Sequence, residues 1–341
     1  MISLFFNDSP LLSGHAVRGI GFYTRNLKSI LGRQSDLKLV DDISKANMVH
    51  YPYFDLFFKS LSFQKGKKNI VTIYDTIPLI YPKNYPPGIK GKINFLRQKS
   101  TLKEADAIVT ISETSKKDIV RFLDVQSEKV HVTYLTATPD FKKLPSGKWS
   151  TEIRQKYHLP EKFVLYVGDV NYNKNINNLA KACKITDVPL VLAGKQAASS
   201  DFDRNHPENQ SLVHLLEEYG YDHQVLRLGF VPQEDLVKIM NLADVYCQPS
   251  LYEGFGLPIL EAMTCDIPVV ASKIQVFVEL FEKSVLYFDP YDVNNMSNKI
   301  SQALGERKTR DTLIKMGQIK SKNYSWDKTA RDTVDVYKSL E

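Results

Sequence analysis

Two glutamates separated by seven residues carry the first chemical signal of this sequence. Glu253 and Glu261 lie in the segment EGFGLPILE, and Gly254 and Gly256 follow the first of them. Glycines just before a helix leave backbone amides bare, and a helix N-terminus with exposed N–H groups binds anions. Carboxylates fit beside an anion site if they accept hydrogen bonds from sugar hydroxyls. The segment therefore predicts a site for a diphosphate joined to a sugar.

The amides of Phe255 and Leu257 can add two further donors to this site, and Pro258 suits the first position of the helix. The alternative for the whole segment is an ordinary turn with one capping and one surface glutamate.

A lysine after an earlier strand gives the second signal, in the segment YVGDVNYNKN. Gly168 ends the strand, and Asn173 and Lys174 lead into a helix. A lysine here can bring a point charge to a diphosphate, although a solvated loop lysine is the alternative. The segment LGFVP, with Gly229, ends a further strand. There Phe230 and Val231 can wall a base and a ribose.

These segments need a framework that brings strand ends together. Short apolar strands alternate with amphipathic helical stretches along both halves of the chain, which is typical of a parallel sheet with helices on both faces. The polar stretch 140–149 contains Pro145 and Gly147 and is the best linker. We predict two open α/β domains that face a cleft, with ligands at the carboxyl ends of the strands.

The composition fits a two-domain enzyme without a membrane span. The chain has 341 residues, of which 43% are apolar and 25% charged. Cys183, Cys247 and Cys265 lack metal-ligand spacing and are expected to be buried thiols. The N-terminus has no basic leader before its short apolar run and reads as a first strand. We therefore expect a cytoplasmic protein.

Basic residues are concentrated in the first half of the chain. Residues 1–150 carry 23 Lys and Arg against 13 Asp and Glu. Lysines at 59, 65, 67, 68, 90 and 92 lie near Phe58, Ile89, Ile93 and Leu96. This composition suits docking to an anionic membrane surface; the alternative is an apolar core with a solvated lysine face. Nucleic acid is not an expected partner, because basic and aromatic residues do not interleave.

Together these segments resemble one family along nearly the whole chain. Further matching segments are RGIGFYT (18–24), YDTIPLIYP (74–82), IVTISETSKKDI (108–119), LAGK (192–195) and YSWDKTA (324–330). The sequence resembles the family-4 retaining glycosyltransferases, which have the two-domain GT-B architecture. We predict an acceptor-side domain over 1–145 and a nucleotide-sugar-binding domain over 146–325. A final helix at about 326–341 is predicted to pack back on the first.

The resemblance implies roles for the donor-side residues. Glu261 would hold the ribose hydroxyls of the donor, and Glu253 would bind hydroxyls of the transferred sugar. Lys174 and the amides of Gly256 and Leu257 would hold the diphosphate. Members often carry an arginine beside this lysine, which is absent here. The transition state would then depend more on Lys174 and the amides.

On the acceptor side, the resemblance implies that Gly19 and Gly21 form a glycine loop that closes over the donor. Tyr74 and Asp75 stand where members often have His–Asp, and a tyrosine can donate a hydrogen bond but carries no positive charge. His50, which ends a predicted strand, can contact either sugar. A histidine satisfied within the core is the alternative.

The sequence thus predicts a retaining enzyme that transfers a hexose-type sugar from a nucleoside-diphosphate donor to a glycan or lipid-linked acceptor, in cell-surface polysaccharide synthesis. Neither a metal nor another cofactor is expected, and the protein is expected in the cytoplasm, peripheral on the inner membrane face. The predicted catalytic residues are Glu253, Lys174, Tyr74, Asp75 and His50. The alternatives are a nucleotide-sugar epimerase of the same architecture and a non-catalytic basic binding module.

Overall fold

The computed structural model describes residues 2–12 and 19–341, which divide into two compact units. The N-terminal unit comprises the described residues up to Thr136 together with Tyr324–Glu341. The C-terminal unit is Ala137–Asn323. The division falls before the polar stretch 140–149 that the sequence predicts as a linker.

A six-stranded parallel sheet forms the centre of the N-terminal unit, in the order β2-β1-β3-β4-β5-β6. Its strands are β1 (Ile2–Phe6), β2 (Leu37–Leu39), β3 (Met48–Tyr51), β4 (Lys68–Thr72), β5 (Ala107–Thr110) and β6 (Val130–Val132). Its helices are α1 (Gly19–Leu31), α2 (Ile77–Ile80), α3 (Gly88–Leu102), α4 (Glu113–Leu123) and the last helix of the chain, Trp326–Lys338.

The C-terminal unit repeats this plan with the sheet order β12-β11-β10-β7-β8-β9. Its strands are β7 (Val164–Val167), β8 (Leu190–Ala193), β9 (Val225–Gly229), β10 (Val245–Gln248), β11 (Val269–Ser272) and β12 (Leu286–Phe288). Its helices are α5 (Trp149–Tyr157), α6 (Ile176–Thr186), α7 (Gln210–Tyr219), α8 (Gln233–Leu242), α9 (Leu257–Thr264), α10 (Gln275–Phe281), α11 (Val293–Gly305) and α12 (Arg307–Ser321). The helix Trp326–Lys338 is therefore α13.

The predicted fold class, two open parallel α/β sheets, is confirmed. Helix α4 begins after Ser112, whose side chain accepts a hydrogen bond from the Ser115 amide at 3.0 Å. Strand β2 has three residues with a central lysine and so shows no apolar run in the sequence.

The predicted linker segment is fastened to the C-terminal unit by side chains of α8. Asn241 accepts a hydrogen bond from the Leu144 amide at 2.9 Å and donates to the Lys142 carbonyl at 2.9 Å. Gln233 donates to the Asp140 carboxylate at 2.6 Å. These long-range bonds explain why the unit begins at Ala137 although the composition of the stretch is that of a linker.

The strand order of the C-terminal unit reverses around its first strand. The chain runs outward from β7 through β8 to β9, then returns to the other side of β7 with β10 and continues to β12. In open α/β sheets, ligands bind where the order reverses, at the carboxyl ends of the two strands concerned. The loops after β7 and β10 are therefore the expected place for a site.

His50 joins the last helix to the sheet of the N-terminal unit. Its side chain is fully buried, with Nδ1 hydrogen-bonded to the Tyr337 hydroxyl of α13 at 2.6 Å and Nε2 to Thr72 Oγ1 at 2.7 Å. Burial lowers the pKa of His50 to about 3. Both ring nitrogens are occupied inside the core, which favours the alternative of a histidine satisfied within the core over the predicted sugar contact.

Two expectations from composition can be compared with the described residues. All three cysteines are buried free thiols. In the ranges 2–12 and 19–341, no helix is both long and apolar enough to cross a bilayer.

We expect His50 to make the protein sensitive to acid. The unfolded histidine takes up a proton near pH 6.5, whereas the folded one resists it to about 3, so the free energy of unfolding should fall as the pH drops between these values. His50→Gln should lower the melting temperature at neutral pH. On acidification, the melting temperature of this variant should fall less than that of wild type. The control is the same change at exposed His223. Equal acid sensitivity in wild type and His50→Gln would contradict the assignment.

Candidate active site

Asparagine side chains tie together the two loops at the point of reversal. The Asn173 carbonyl accepts a hydrogen bond from the Leu251 amide at 2.7 Å, and its side chain donates to the Tyr252 carbonyl at 3.0 Å. Asn175 donates to the Pro249 carbonyl at 3.0 Å. Asn173, predicted to bind the donor, thus uses its amide nitrogen to hold the loop after β7 against the loop after β10.

Lys174 and Glu253 form an ion pair across these loops. The Lys174 Nζ donates to the two carboxylate oxygens of Glu253 at 2.7 and 2.8 Å. Their side chains are 22% and 10% exposed, so water weakens the pair less than it would at the surface. The two residues that the sequence assigned to one diphosphate–sugar site are therefore in direct contact.

Two further side chains donate hydrogen bonds to the Glu253 carboxylate. The Ser250 hydroxyl donates to its Oε1 at 2.7 Å, and Gln248 Nε2 donates to the same oxygen at 3.1 Å. Neither residue is among those predicted from the sequence. Both are polar residues at the end of a buried strand. If this strand only packed in the core, apolar residues would be expected there, so the polar side chains could have indicated a site.

The helix α9 presents its N-terminus directly after Glu253. Gly256 precedes the helix with φ +113°, and a Cβ there would lie 2.8 Å from the Phe277 ring, so glycine is required. Phe255 is buried and anchors the turn. The Leu257 amide at the start of the helix can donate to an anion, as the sequence predicts, whereas Pro258 has no N–H to offer.

Glu261 is a buried carboxylate on α9. It is 8% exposed, and none of the described residues donates a hydrogen bond to its side chain. Burial raises the pKa of Glu261 to about 8. At neutral pH this carboxyl is therefore largely protonated in the free protein. Because it is kept from water and receives no donor from the described residues, its carbonyl oxygen can accept hydrogen bonds from ligand hydroxyls.

Glycines shape the same edge of the sheet at the ends of β7 and β9. A Cβ on Gly168 (φ +147°) would lie 2.6 Å from the Tyr166 hydroxyl oxygen, and Gly229 has φ +70°. After Gly229, the Phe230 side chain is 60% exposed whereas Val231 is buried. Of the predicted wall for the base, Phe230 therefore offers a ring and Val231 can offer only its backbone.

The predicted residues of the N-terminal unit have local structural partners. The Tyr74 hydroxyl donates to the Pro52 carbonyl at 2.8 Å, and Asp75 accepts from the Ile77 amide at 3.0 Å at the start of α2. Gly19 and Gly21 form the first turn of α1 rather than the predicted loop. Arg18, in the same motif, lies outside the described residues.

The geometry combines one cation, two carboxylates and a helix N-terminus at the point where the strand order reverses. Such a set can bind a phosphorylated ligand that also carries hydroxyls. Over the described part of the chain, no three His, Cys, Asp or Glu side chains are grouped so that they could hold a metal ion.

Comparisons with known proteins agree with this chemistry. A family model described as "Glycosyl transferases group 1" matches residues 150–320. O-antigen chain mannosyltransferase B of Escherichia coli is 30% identical over 284 residues, which are 80% of this chain and 71% of that protein. The serotype-specific mannosyltransferase WbdA of Escherichia coli is 28% identical over 282 residues, and the chain spans only 34% of its length.

A solved structure matches both units. Anabaena HepE in complex with UDP and glucose has a TM-score of 0.72 at 17% identity, covering 99% of this chain and 100% of that one. At this identity the likeness shows the fold alone.

Because Glu261 is buried, we expect the free energy of unfolding to depend on pH between about 4.5 and 8. The unfolded carboxyl loses its proton near pH 4.5 but the folded one near 8, so the free energy of unfolding should fall as the pH rises between these values, by a few kcal/mol at most. Glu261→Gln carries no charge at this position. The melting temperature of the variant minus that of wild type should therefore increase between about pH 5 and about pH 9. Exposed Glu161→Gln is the control, and a difference independent of pH would contradict the prediction.

Proposed function

This chain belongs to the glycosyl transferases group 1 family, and we propose that it transfers a hexose, with retention and without a metal, from a nucleoside-diphosphate donor to a glycan acceptor. The observation that carries the proposal is the placement of the Lys174–Glu253 ion pair and of Glu261 around the N-terminus of α9. The glycosyltransferase family predicted from the sequence motifs is confirmed as glycosyl transferases group 1, whereas membership of family 4 and retention stay predictions.

The reaction needs stabilisation of a leaving diphosphate. The bond between the sugar C1 and the phosphate oxygen breaks, and negative charge grows on the diphosphate while the sugar becomes positive. Lys174 and the amides of Gly256 and Leu257 stabilise that charge. The acceptor hydroxyl forms the new bond to C1 on the same face and passes its proton to the departing diphosphate. Retention follows from the family-4 resemblance.

The two glutamates divide the donor between them. Glu261 accepts hydrogen bonds from the ribose hydroxyls, which are present throughout the reaction. Glu253 accepts from hydroxyls of the transferred sugar, which becomes cationic in the transition state. Loss of Glu261 therefore weakens nucleotide binding, whereas loss of Glu253 lowers turnover more than nucleotide affinity.

The relatives support mannose as the sugar and a polysaccharide as the product. Both Escherichia coli proteins are mannosyltransferases, and one acts on an O-antigen chain. HepE was solved with UDP, but at 17% identity its likeness to this chain shows the fold alone. The donor base therefore stays open, and a test must include several nucleoside diphosphates.

A donor screen tests the function. One of the nucleotides UDP, GDP, dTDP and ADP, at a concentration above its dissociation constant, should raise the melting temperature.

Sugar transfer from GDP-mannose or UDP-glucose should persist in excess EDTA. Lys174→Ala should lower turnover by about 2–4 kcal/mol of transition-state free energy, whereas Lys195→Ala, a lysine after a neighbouring strand, is the control. Activity restored only by magnesium or manganese would contradict a metal-free reaction, and an epimerised donor without transfer would identify an epimerase.

We further propose that the N-terminal unit docks on an anionic membrane through α3. The inner face of this helix packs closely, since a Cβ on Gly91 would lie 3.3 Å from the Phe57 side chain and Leu102 is fully buried. The opposite face exposes apolar side chains. Ile89, Ile93 and Leu96 are 81%, 46% and 67% exposed, at helical positions that fall on one side. We call these three residues the apolar stripe.

Basic side chains flank the apolar stripe. Lys90, Lys92 and Arg97 are exposed, and α3 contains no acidic residue. This charge suits an anionic bilayer surface, where each basic residue contributes about 1 kcal/mol. The alternative, an apolar core with a solvated lysine face, holds only for part of this segment. Lys67, for example, is not simply a solvated lysine, because it donates to backbone carbonyls of residues 44 and 46.

The docking surface predicts salt-sensitive membrane binding. The protein should co-sediment with vesicles that contain phosphatidylglycerol, less with pure phosphatidylcholine, and should be released at high salt. The double change Ile89→Ser with Leu96→Ser should weaken binding in every condition. Ile319→Ser, an exposed isoleucine on α12, is the control because it removes a similar apolar side chain. Binding to neither vesicle, or equal binding to both at any salt, would contradict the proposal.

A further inference from the structure

A buried chain of hydrogen bonds runs behind Glu253. Tyr246, Gln248 and Ser250 are at most 2% exposed. The Tyr246 hydroxyl donates to Gln248 Oε1, and Gln248 Nε2 donates to Ser250 Oγ at 2.9 Å and to Glu253 Oε1 at 3.1 Å. The Ser250 hydroxyl donates to Glu253 Oε1 at 2.7 Å. The chain therefore ends on a single oxygen of the carboxylate.

These bonds can be satisfied in one direction only. The Glu253 carboxylate can only accept, so the Ser250 hydroxyl and the Gln248 amide nitrogen both donate to it, and the Gln248 carbonyl oxygen is left to face Tyr246. Burial raises the pKa of Tyr246 well above its usual value, so its hydroxyl keeps the proton that it donates to this oxygen. Ser250 also accepts from the Gln248 nitrogen, and its own proton is left for Glu253.

The two oxygens of Glu253 are consequently unequal. Oε1 receives donors from Lys174, Ser250 and Gln248, at 2.7, 2.7 and 3.1 Å. Oε2 receives, from the residues that the structure describes, the Lys174 bond alone at 2.8 Å. A carboxylate oxygen has about two lone-pair sites. Oε1 is therefore saturated, and Oε2 keeps acceptor capacity for a ligand.

We propose that Gln248 and Ser250 are positioning residues that saturate Oε1 of Glu253 and so reserve Oε2 for a hydroxyl of the transferred sugar. They act through Glu253, and they also fix the carboxylate that holds Lys174 in place. This inference rests on the proposed function. If instead these residues only stabilised the fold, their loss would change the melting temperature and leave turnover unchanged.

Two substitutions separate positioning from folding. Ser250→Ala removes one donor to Oε1, and Gln248→Met removes the other at similar size. Release of nucleoside diphosphate from GDP-mannose and UDP-glucose measures turnover, and GDP and UDP measure nucleotide binding. Turnover should fall about 10- to 100-fold, the range for a lost hydrogen bond to a charged group, while nucleotide affinity changes less than about threefold, because these nucleotides lack the sugar.

The matched control is Ser297→Ala, at another buried serine of the same unit. Its hydroxyl is hydrogen-bonded to Thr186 Oγ1 at 2.8 Å, so the variant loses a bond of similar length without touching Glu253. It should lower the melting temperature and keep wild-type turnover. Should Ser250→Ala fail to fold, Gln248→Met carries the test alone.

A double-mutant cycle with Glu253→Gln completes the experiment. If Ser250 acts through Glu253, Ser250→Ala should cost less than about twofold in the Glu253→Gln background. An equal loss in both backgrounds, or Ser250 and Gln248 variants that behave like Ser297→Ala, overturns the positioning role while the function stands. A wild type that transfers sugar from none of the UDP, GDP, dTDP and ADP donors overturns the proposed function, and the inference with it.

Discussion

The Lys174–Glu253 ion pair depends on a reversal of strand order. The two residues are 79 positions apart, and they meet because β10 returns to the free side of β7 after β8 and β9 have been laid down. Breaking a largely buried pair by removing one partner leaves an uncompensated charge, which is costly. The loops around the pair are therefore under strong constraint, and the chain satisfies it with asparagine side chains and glycine backbone rather than with apolar packing.

Those constraints also explain the division of labour among the polar residues. Asn173 and Asn175 bond to carbonyls of the opposing loop and set the distance between Lys174 and Glu253. Gly256 allows α9 to begin against the Phe277 ring. Glu261, one turn into that helix, is left as a carboxylate without a donor from the described residues. Among these residues, ligand-binding capacity therefore remains at Glu261 and at Oε2 of Glu253.

The N-terminal unit places its polar residues differently. His50, Thr72 and Tyr337 form a buried cluster that fastens α13 to the sheet. Tyr74 and Asp75 bond to nearby backbone. The exposed features of this unit are instead the apolar stripe and its basic neighbours, which suit a surface rather than a small ligand. A family resemblance transfers the fold reliably, but it transfers a role only where the side chain remains accessible.

The sequence by itself determined the fold class and the glycosyltransferase family, and it predicted the donor-side residues. The repeat of apolar residues and the placement of glycines are local properties of a sequence. Segments such as Val245–Gln248 and the turn at Gly256 could therefore be recognised without knowledge of the fold. Tertiary structure decided whether each polar residue faces a ligand or the protein. His50 and Gln248 both end short apolar strands, yet one fastens a helix from the far end of the chain and the other supports Glu253. Their partners are fixed by strand order and by packing over long sequence distances, which no local pattern records.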